Sequence, residues 1–300
     1  NNKNYGVFLR IIPNSIIWYD TQKYKEYGTP SISSYDELIE FTKINSSEDN
    51  EVWCMDSESG GLTGWIQTNW LEDLILHQSG LETYDEWQNQ NIRFSDNDIK
   101  KALKNIGDLI FLDYAVYGGY ESILNKEFRN NFFNLTDQNI PCIFSWSGHY
   151  ATLYFPEDKK YGRDYDFFKF PSAQNKDAMV GIGDTIVILD NSKASIEVFK
   201  SLTNKSFGKI WITKEDSTYI SANMISNIDG IKNKMLIKKT ELVRNALKSD
   251  SFRFDASELM ERRVGGDYLL EALRNYILYG NDFNDIEVLD EILNKLDENY

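Results

Sequence analysis

Trp53-Cys54-Met55-Asp56-Ser57-Glu58-Ser59-Gly60-Gly61-Leu62-Thr63-Gly64-Trp65, running on into Thr68-Asn69-Trp70-Leu71-Glu72-Asp73, carries three kinds of local signal in one short stretch. Glu51 to Met55 reads as a strand. Gly60, Gly61 and Gly64 make the next segment a loop, because glycine at that density frays a regular element. Asn69-x-x-Glu72 then has the form of a capping box, with Trp70, Leu71, Leu74 and Ile75 following on one helical face. Strand, loop and helix in succession form one unit of an alternating fold.

The flanking sequence continues the alternation. Val7 to Ile12 and Ser15 to Tyr19 read as short strands broken by Pro13. Ser34-x-x-Glu37 opens a helix with Leu38, Ile39 and Phe41. A further helix follows Ser95, with Ile99, Leu103, Ile106 and Ile110 at helical spacing. Pro141 to Trp146 is a predicted strand. Gly181-Ile182-Gly183 precedes another, Asp184 to Leu189, and Ser192 caps a helix carrying Ile196, Phe199 and Leu202. The last third is mostly helical and ends on a stripe of Ile286, Leu289, Ile292, Leu293 and Leu296. This is the α/β pattern, with sheets covered by helices and a helical tail added.

Composition narrows the function classes. Apolar residues are 41% of the 300, and aromatics 14%, enough for a sizeable core. The net charge of −15 repels phosphate backbones, so no nucleic-acid partner is expected. No run approaches the ~20 apolar residues of a membrane-spanning helix. Two cysteines, Cys54 and Cys142, and two histidines, His77 and His149, are too few for a Cys/His zinc site, so no metal is expected. The cysteine spacing fits a disulfide and a pair of buried thiols equally. The start at Asn1-Asn2-Lys3-Asn4 shows neither an initiator Met nor an apolar leader, which suits a mature secreted protein and a truncated one alike.

Catalytic and cofactor signatures are missing. There is no G-x-S-x-G elbow, Walker loop or H-E-x-x-H. Gly181-Ile182-Gly183 lacks the third glycine of a dinucleotide site, and no cofactor is expected. Asp56 and Glu58 could serve as the carboxylate pair of a glycosidase, although surface carboxylates are common. The aromatics are more informative. A sugar ring has an apolar C–H face and a hydroxyl rim, which proteins meet with a flat aromatic and surrounding polar groups. Trp53, Trp70 and Trp87 fit strand or helix faces and read as core. Trp65 follows a glycine in a loop and reads as a ligand platform.

The stretch 53–73 closely resembles one in the α-glucoside and trehalose-type sugar-binding proteins of ABC importers. Four further segments resemble the same family, in order: Ser15-Ile16-Ile17-Trp18-Tyr19, Pro141-Cys142-Ile143-Phe144, Val180-Gly181-Ile182-Gly183-Asp184, and Phe252-Arg253-Phe254-Asp255-Ala256-Ser257-Glu258-Leu259-Met260. The resemblance implies a periplasmic-binding-protein-like type II fold of two α/β lobes joined by hinge strands. It also implies that the first part of the amino-terminal lobe is missing, roughly 100 residues at ~30 per βαβ unit.

On this reading residues 1–12 are a hinge strand and 13–180 the first part of the carboxyl-terminal lobe. Residues 181–220 are a return segment of the other lobe, in which Ile186, Ile188, Phe199 and Trp211 lack part of their cover. Residues 221–300 complete the carboxyl-terminal lobe. The implied function is binding of a small carbohydrate, an α-glucoside or related oligosaccharide, in an interlobe cleft and its delivery to membrane permease subunits. The implied protein is a non-enzymatic, periplasmic or extracytoplasmic monomer. The expected ligand set is Glu58, Thr63, Gly64, Trp65, His149, Asp184, Arg253 and Asp255. His149-Tyr150 departs from the family pattern at its position. The resemblance also brings Cys54 and Cys142 together as a disulfide. The alternatives are a carbohydrate-active enzyme using Asp56 and Glu58, and a receptor-coupled sugar sensor.

Overall fold

The computed structural model describes residues 6–224, 228–280 and 286–298. Strands β1 (Gly6–Pro13), β2 (Ile16–Asp20), β3 (Phe144–Trp146), β4 (Tyr165–Lys169), β5 (Met179–Val187) and β6 (Phe252–Phe254) form two three-stranded sheets. One has the order β3-β2-β4, with both pairings antiparallel. The other has the order β1-β5-β6, antiparallel between β1 and β5 and parallel between β5 and β6.

The helices are α1 (Thr21–Glu26), α2 (Tyr35–Asn45), α3 (Trp65–Leu74), α4 (Leu81–Gln88), α5 (Asn97–Ile110), α6 (Asn130–Thr136), α7 (Lys193–Leu202), α8 (Lys209–Ile212), α9 (Lys234–Lys248), α10 (Ala256–Leu259), α11 (Leu269–Tyr279) and α12 (Ile286–Asp297). The main core surrounds β2, β3 and β4. Trp18, Trp53, Trp70, Trp87, Phe144, Trp146, Phe167 and Phe170 are buried there. Trp53, Trp70 and Trp87 are therefore core residues, as their patterning predicts. A smaller cluster of Ile11, Met179, Ile212, Ile220, Leu236 and Val243 joins β1 and β5 to α9.

Three local expectations need correction. Glu51–Met55 is not a regular strand. It is an extended run that bridges Trp53 to Val116 and to Phe144 and takes amide bonds from β3 at Val52 O. The helix in the opening stretch begins at Trp65, not Asn69, because Gly64 turns the chain with φ +125°. Asn69 sits inside that helix, where its amide donates to Trp65 O (2.7 Å) and its carbonyl oxygen accepts from Asn14. Helix α5 does follow Ser95, with Asp96 as its cap. The fifth strand starts at Met179, so Gly181 and Gly183 lie within it. A Cβ at Gly181 would stand 2.6 Å from Ile12 O, and one at Gly183 2.6 Å from Arg10 O, so β1 can approach only because both are glycine.

Cys54 and Cys142 are joined by a disulfide with their Cα atoms 5.6 Å apart. It ties the Val52–Cys54 run to the chain entering β3. After β5 the chain is poorly covered. Helix α7 has no buried residue, Ile186 and Phe199 are half-buried, and Ile188, Leu189, Val198, Ile210 and Trp211 are exposed.

Candidate functional site

Gly64 starts the construction. Its φ of +125° is costly for any residue with a Cβ, and a Cβ there would meet Leu270 at 3.1 Å. The chain can therefore turn tightly against α11 and present Trp65 as the first residue of α3. Two ring edges fix the Trp65 indole: Tyr150, with centroids 4.9 Å apart, and Phe128, at 5.7 Å. The indole remains half-exposed.

Trp65 opens onto a cavity of about 580 Å³. Its α3 side adds Thr68. The opposite wall comes from Ser257 and Glu258 of α10, then Met260, Arg262, Gly265, Gly266 and Asp267, with Leu270 beneath. Among the described residues Arg262 and Asp267 form no ion pair. The cavity thus combines an aromatic platform with hydroxyls, carboxylates and a guanidinium, the mixture a small polar ligand with an apolar face requires.

Behind this wall lies a buried polar cluster. Glu72 Oε1 accepts from Ser257 N at 3.0 Å. Asp255 caps α10, its Oδ1 accepting from Ser257 Oγ at 2.6 Å and Glu258 N at 3.3 Å. Glu72 Oε2 accepts from the Tyr84 hydroxyl at 3.5 Å, and burial followed by the charge of Asp255 pushes the Glu72 carboxyl well above its usual range. Asp73, the next residue, accepts from Ser15 Oγ and from Trp146 Nε1 (2.9 Å). Burial pushes it up to about 7 despite those bonds. His77 Nε2 is 3.8 Å from Asp73, and burial holds this imidazole well below its ordinary pKa, in the neutral form.

The sequence-predicted residues fall in different places. Trp65 lines the cavity, Gly64 backs it through Leu270, and Asp255 stands one residue behind its wall. Glu58 and Thr63 hold the glycine loop together. Glu58 Oε1 accepts from Gly60 N at 2.5 Å, while Thr63 Oγ1 donates to Gly60 O (2.8 Å) and accepts from Ser59 N (3.0 Å). Arg253 is committed to Asp85, with Nε bonded to Oδ1 at 2.5 Å and Nη2 to Oδ2 at 2.9 Å. His149 is buried, bonded through Nε2 to Thr218 O at 2.8 Å, and burial with nearby Lys239 lowers its pKa well below the usual value. Asp184 lies on β5 in an ion pair with Arg10 at 2.8 Å. None of Glu58, Thr63, His149, Asp184 and Arg253 is among the residues lining this cavity.

Sequence reasoning missed Thr68, Ser257, Glu258, Arg262 and Asp267. Ser257 and Glu258 lie inside the segment 252–260, where only the alternating Arg253 and Asp255 drew notice. Of the carboxylate pair weighed for hydrolysis, Asp56 is buried, with its carboxyl pushed up to about 6 by that burial, and Glu58 is occupied with its own loop.

Comparisons with known proteins give the family and the fold. The family model described as "Bacterial extracellular solute-binding protein" matches residues 2–203. The chain belongs to that family. It is a family of binding proteins, not enzymes, and its members share the α/β fold. Among curated relatives of this solute-binding protein, the α-glucosides-binding periplasmic protein AglE of Rhizobium meliloti is 28% identical over 277 residues, covering 91% of this chain and 59% of the relative. The osmoprotective compounds-binding protein GgtB of a Synechocystis strain is 24% identical over 275 residues, covering 91% of this chain and 64% of that protein. The chain thus spans about three fifths of the length of these relatives. Among solved structures, the bacterial solute receptor AcbH superposes with a TM-score of 0.77 at 14% identity, over 98% of this chain and 71% of its own. A chitin oligosaccharide binding protein gives 0.73 at 15% identity, over 99% and 71%.

Proposed function

We propose that this chain binds a small carbohydrate, an α-glucoside or related oligosaccharide, outside the cytoplasm and hands it to the membrane permease subunits of an ABC importer. The observation that carries the reading is the cavity at Trp65, where a half-exposed indole faces Ser257, Glu258, Arg262 and Asp267. The indole suits a sugar's C–H face, and the polar groups opposite suit its hydroxyl rim. The name of AglE supports the α-glucoside choice. Binding needs no bond-breaking step and no cofactor, and a monomer suffices. Specificity comes from hydroxyls that each find a partner, since a missing one leaves a buried polar group unpaired.

The same reading divides the chain at residues 12/13, 180/181 and 220/221, with 181–220 belonging to a second lobe. The exposed apolar residues of α7 and α8 support that division. Calorimetric titration with trehalose, maltose and sucrose tests the function. Saturable binding with the sugar recovered intact is expected, and Trp65→Ala should weaken it by about 1–3 kcal/mol, the worth of a buried aromatic contact. Unchanged affinity in Trp65→Ala removes the stacking role. Absence of binding to all three sugars, with binding of an osmoprotective compound instead, moves the reading toward the class in the name of GgtB.

A further inference from the structure

Two adjacent glycines, Gly265 and Gly266, stand in the cavity wall opposite Trp65, and packing requires only the first of them. Arg263–Tyr268 forms a π-helical turn that runs directly into α11. A Cβ at Gly265 would lie 2.1 Å from Ser257 O, so this turn can close on α10 only with glycine there. Gly266 meets no such demand. Its φ is not left-handed, and a Cβ there would touch a single atom, Arg262 Cγ, at an ordinary 3.6 Å. The turn is held by other groups: Arg263 Nη2 donates to the Tyr268 hydroxyl at 2.8 Å, and Val264 is buried. Among the described glycines, only Gly61 and Gly266 combine an ordinary φ with open space. Gly61 is exposed in a three-residue turn, where glycine costs little. Gly266 lies in helical backbone, where glycine is disfavoured more than any residue except proline.

We propose that Gly266 is a specificity-determining position: its missing side chain leaves the space into which a ligand stacked on Trp65 extends. The room around position 266 belongs to the cavity of about 580 Å³, because Gly266 lines that cavity together with Trp65, Thr68, Ser257 and Leu270. A residue that weakens its own helix without a packing gain marks a functional constraint, and the cavity is what this bare backbone faces. The π-helical turn agrees, since such turns are rare and concentrate at functional sites. Bare backbone also lets a ring come closer than any side chain at 266 would allow. A side chain added here subtracts from the ligand's volume, and a longer one subtracts more. Gly266 thus fixes how much ligand fits between the indole and the turn, while Gly265 fixes where the turn stands against α10.

The ligand half of this inference rests on the carbohydrate reading, and the open-wall half does not. Thermal unfolding of Gly266→Ala tests the wall without ligand. Its midpoint should hold or rise, by up to about 3 °C, the gain of Ala over Gly in a helix, while Gly265→Ala falls below wild type. A fall for Gly266→Ala gives Gly266 a packing role and overturns the proposal. Gly266→Leu tests the space itself. Acrylamide quenching of Trp65, taken as the difference from Trp65→Phe in the same background, should drop as the leucine covers the indole. Undiminished quenching overturns the placement of that space. Calorimetric titration with whichever of maltose, trehalose and sucrose the wild type binds best reads specificity. Gly266→Ala should bind it about 10- to 100-fold more weakly, as overpacking a filled site does, and Gly266→Leu more weakly still. Wild-type affinity in both variants overturns the specificity role. A wild type that binds none of the three sugars, with the midpoint and quenching results as expected, upholds the open wall and sinks the carbohydrate reading instead.

Discussion

Replacing Asp73 with Asn should flatten the stability of this protein against pH. Asp73 is fully buried, and its carboxyl is raised from 3.8 to about 7 by that burial. For an acid with a raised folded pKa, the native state holds the proton over a range where the unfolded state has released it. Stability is then greatest below the unfolded pKa and falls as pH rises toward the folded one. Integrated between pH 4.5 and 7, a shift of this size removes about 3 kcal/mol. The side-chain amide of the Asp73→Asn variant would not titrate. Its carbonyl can accept from Trp146 Nε1 and its NH₂ can donate to Ser15 Oγ, so the local geometry has a neutral solution.

The assay is urea unfolding, with the disulfide intact, at several pH values from 4.5 to 7. The informative quantity is the difference between wild type and Asp73→Asn, because His77, His149 and Asp56 titrate in both proteins. At pH 4.5 the two should be close, and at pH 7 the variant should be the more stable by about 3 kcal/mol relative to that starting gap. Stability curves that run parallel across the whole range would refute the claim that Asp73 keeps its proton in the fold.

Three further outcomes follow from the same geometry. Replacing Cys54 and Cys142 with Ser should lower stability by about 4–5 kcal/mol, the chain-entropy value for their sequence separation of 88, and reductant should then have no effect on the unfolding midpoint. Gly64→Ala should cost about 1–3 kcal/mol in thermal unfolding, because φ +125° strains any Cβ and Leu270 lies 3.1 Å away. Asp85→Ala should lower the urea midpoint by the equivalent of about 1–2 kcal/mol, since it strands the largely covered Arg253 guanidinium, and Asp85→Glu should lose less.

The α/β alternation was legible because it depends on neighbours in sequence. Ser34 caps α2 through a bond from Glu37 N at 3.2 Å, and the Glu37 carboxylate returns to Ser33 N at 2.7 Å. Ser192 caps α7 in the same way. The errors arose where a distant residue decides. Asn69 has the spacing of a cap, yet Asn14 reaches it across the fold and Gly64 has already begun the helix. Arg253 and Asp255 alternate with Phe252 and Phe254, which suggested one polar face. Asp85 captures the arginine, and Asp255 turns inward to cap α10. Helix α3 hides its chemistry from pattern reading for another reason. Every residue from Ile66 to Leu74 is buried, so no polar face marks Glu72 or Asp73 as exceptional. Trp65 was legible because glycine before a tryptophan is a backbone signal, and the residues opposite it were not, because they come from a different third of the chain.

The pairing of β1 with β5 also sets an order of events for a chain that emerges from a ribosome. Residues 6–13 find their hydrogen-bond partners in residues 181–187 and 219–222, and the third strand of that sheet lies further on still, at 252–254. Strand β1 must therefore wait, with its backbone groups unpaired, until those later segments have been made. Contacts of such long range form slowly, and an unpaired strand edge invites association with other chains in the meantime. Synthesis of this protein thus carries a prolonged window in which β1 depends on protection from elsewhere.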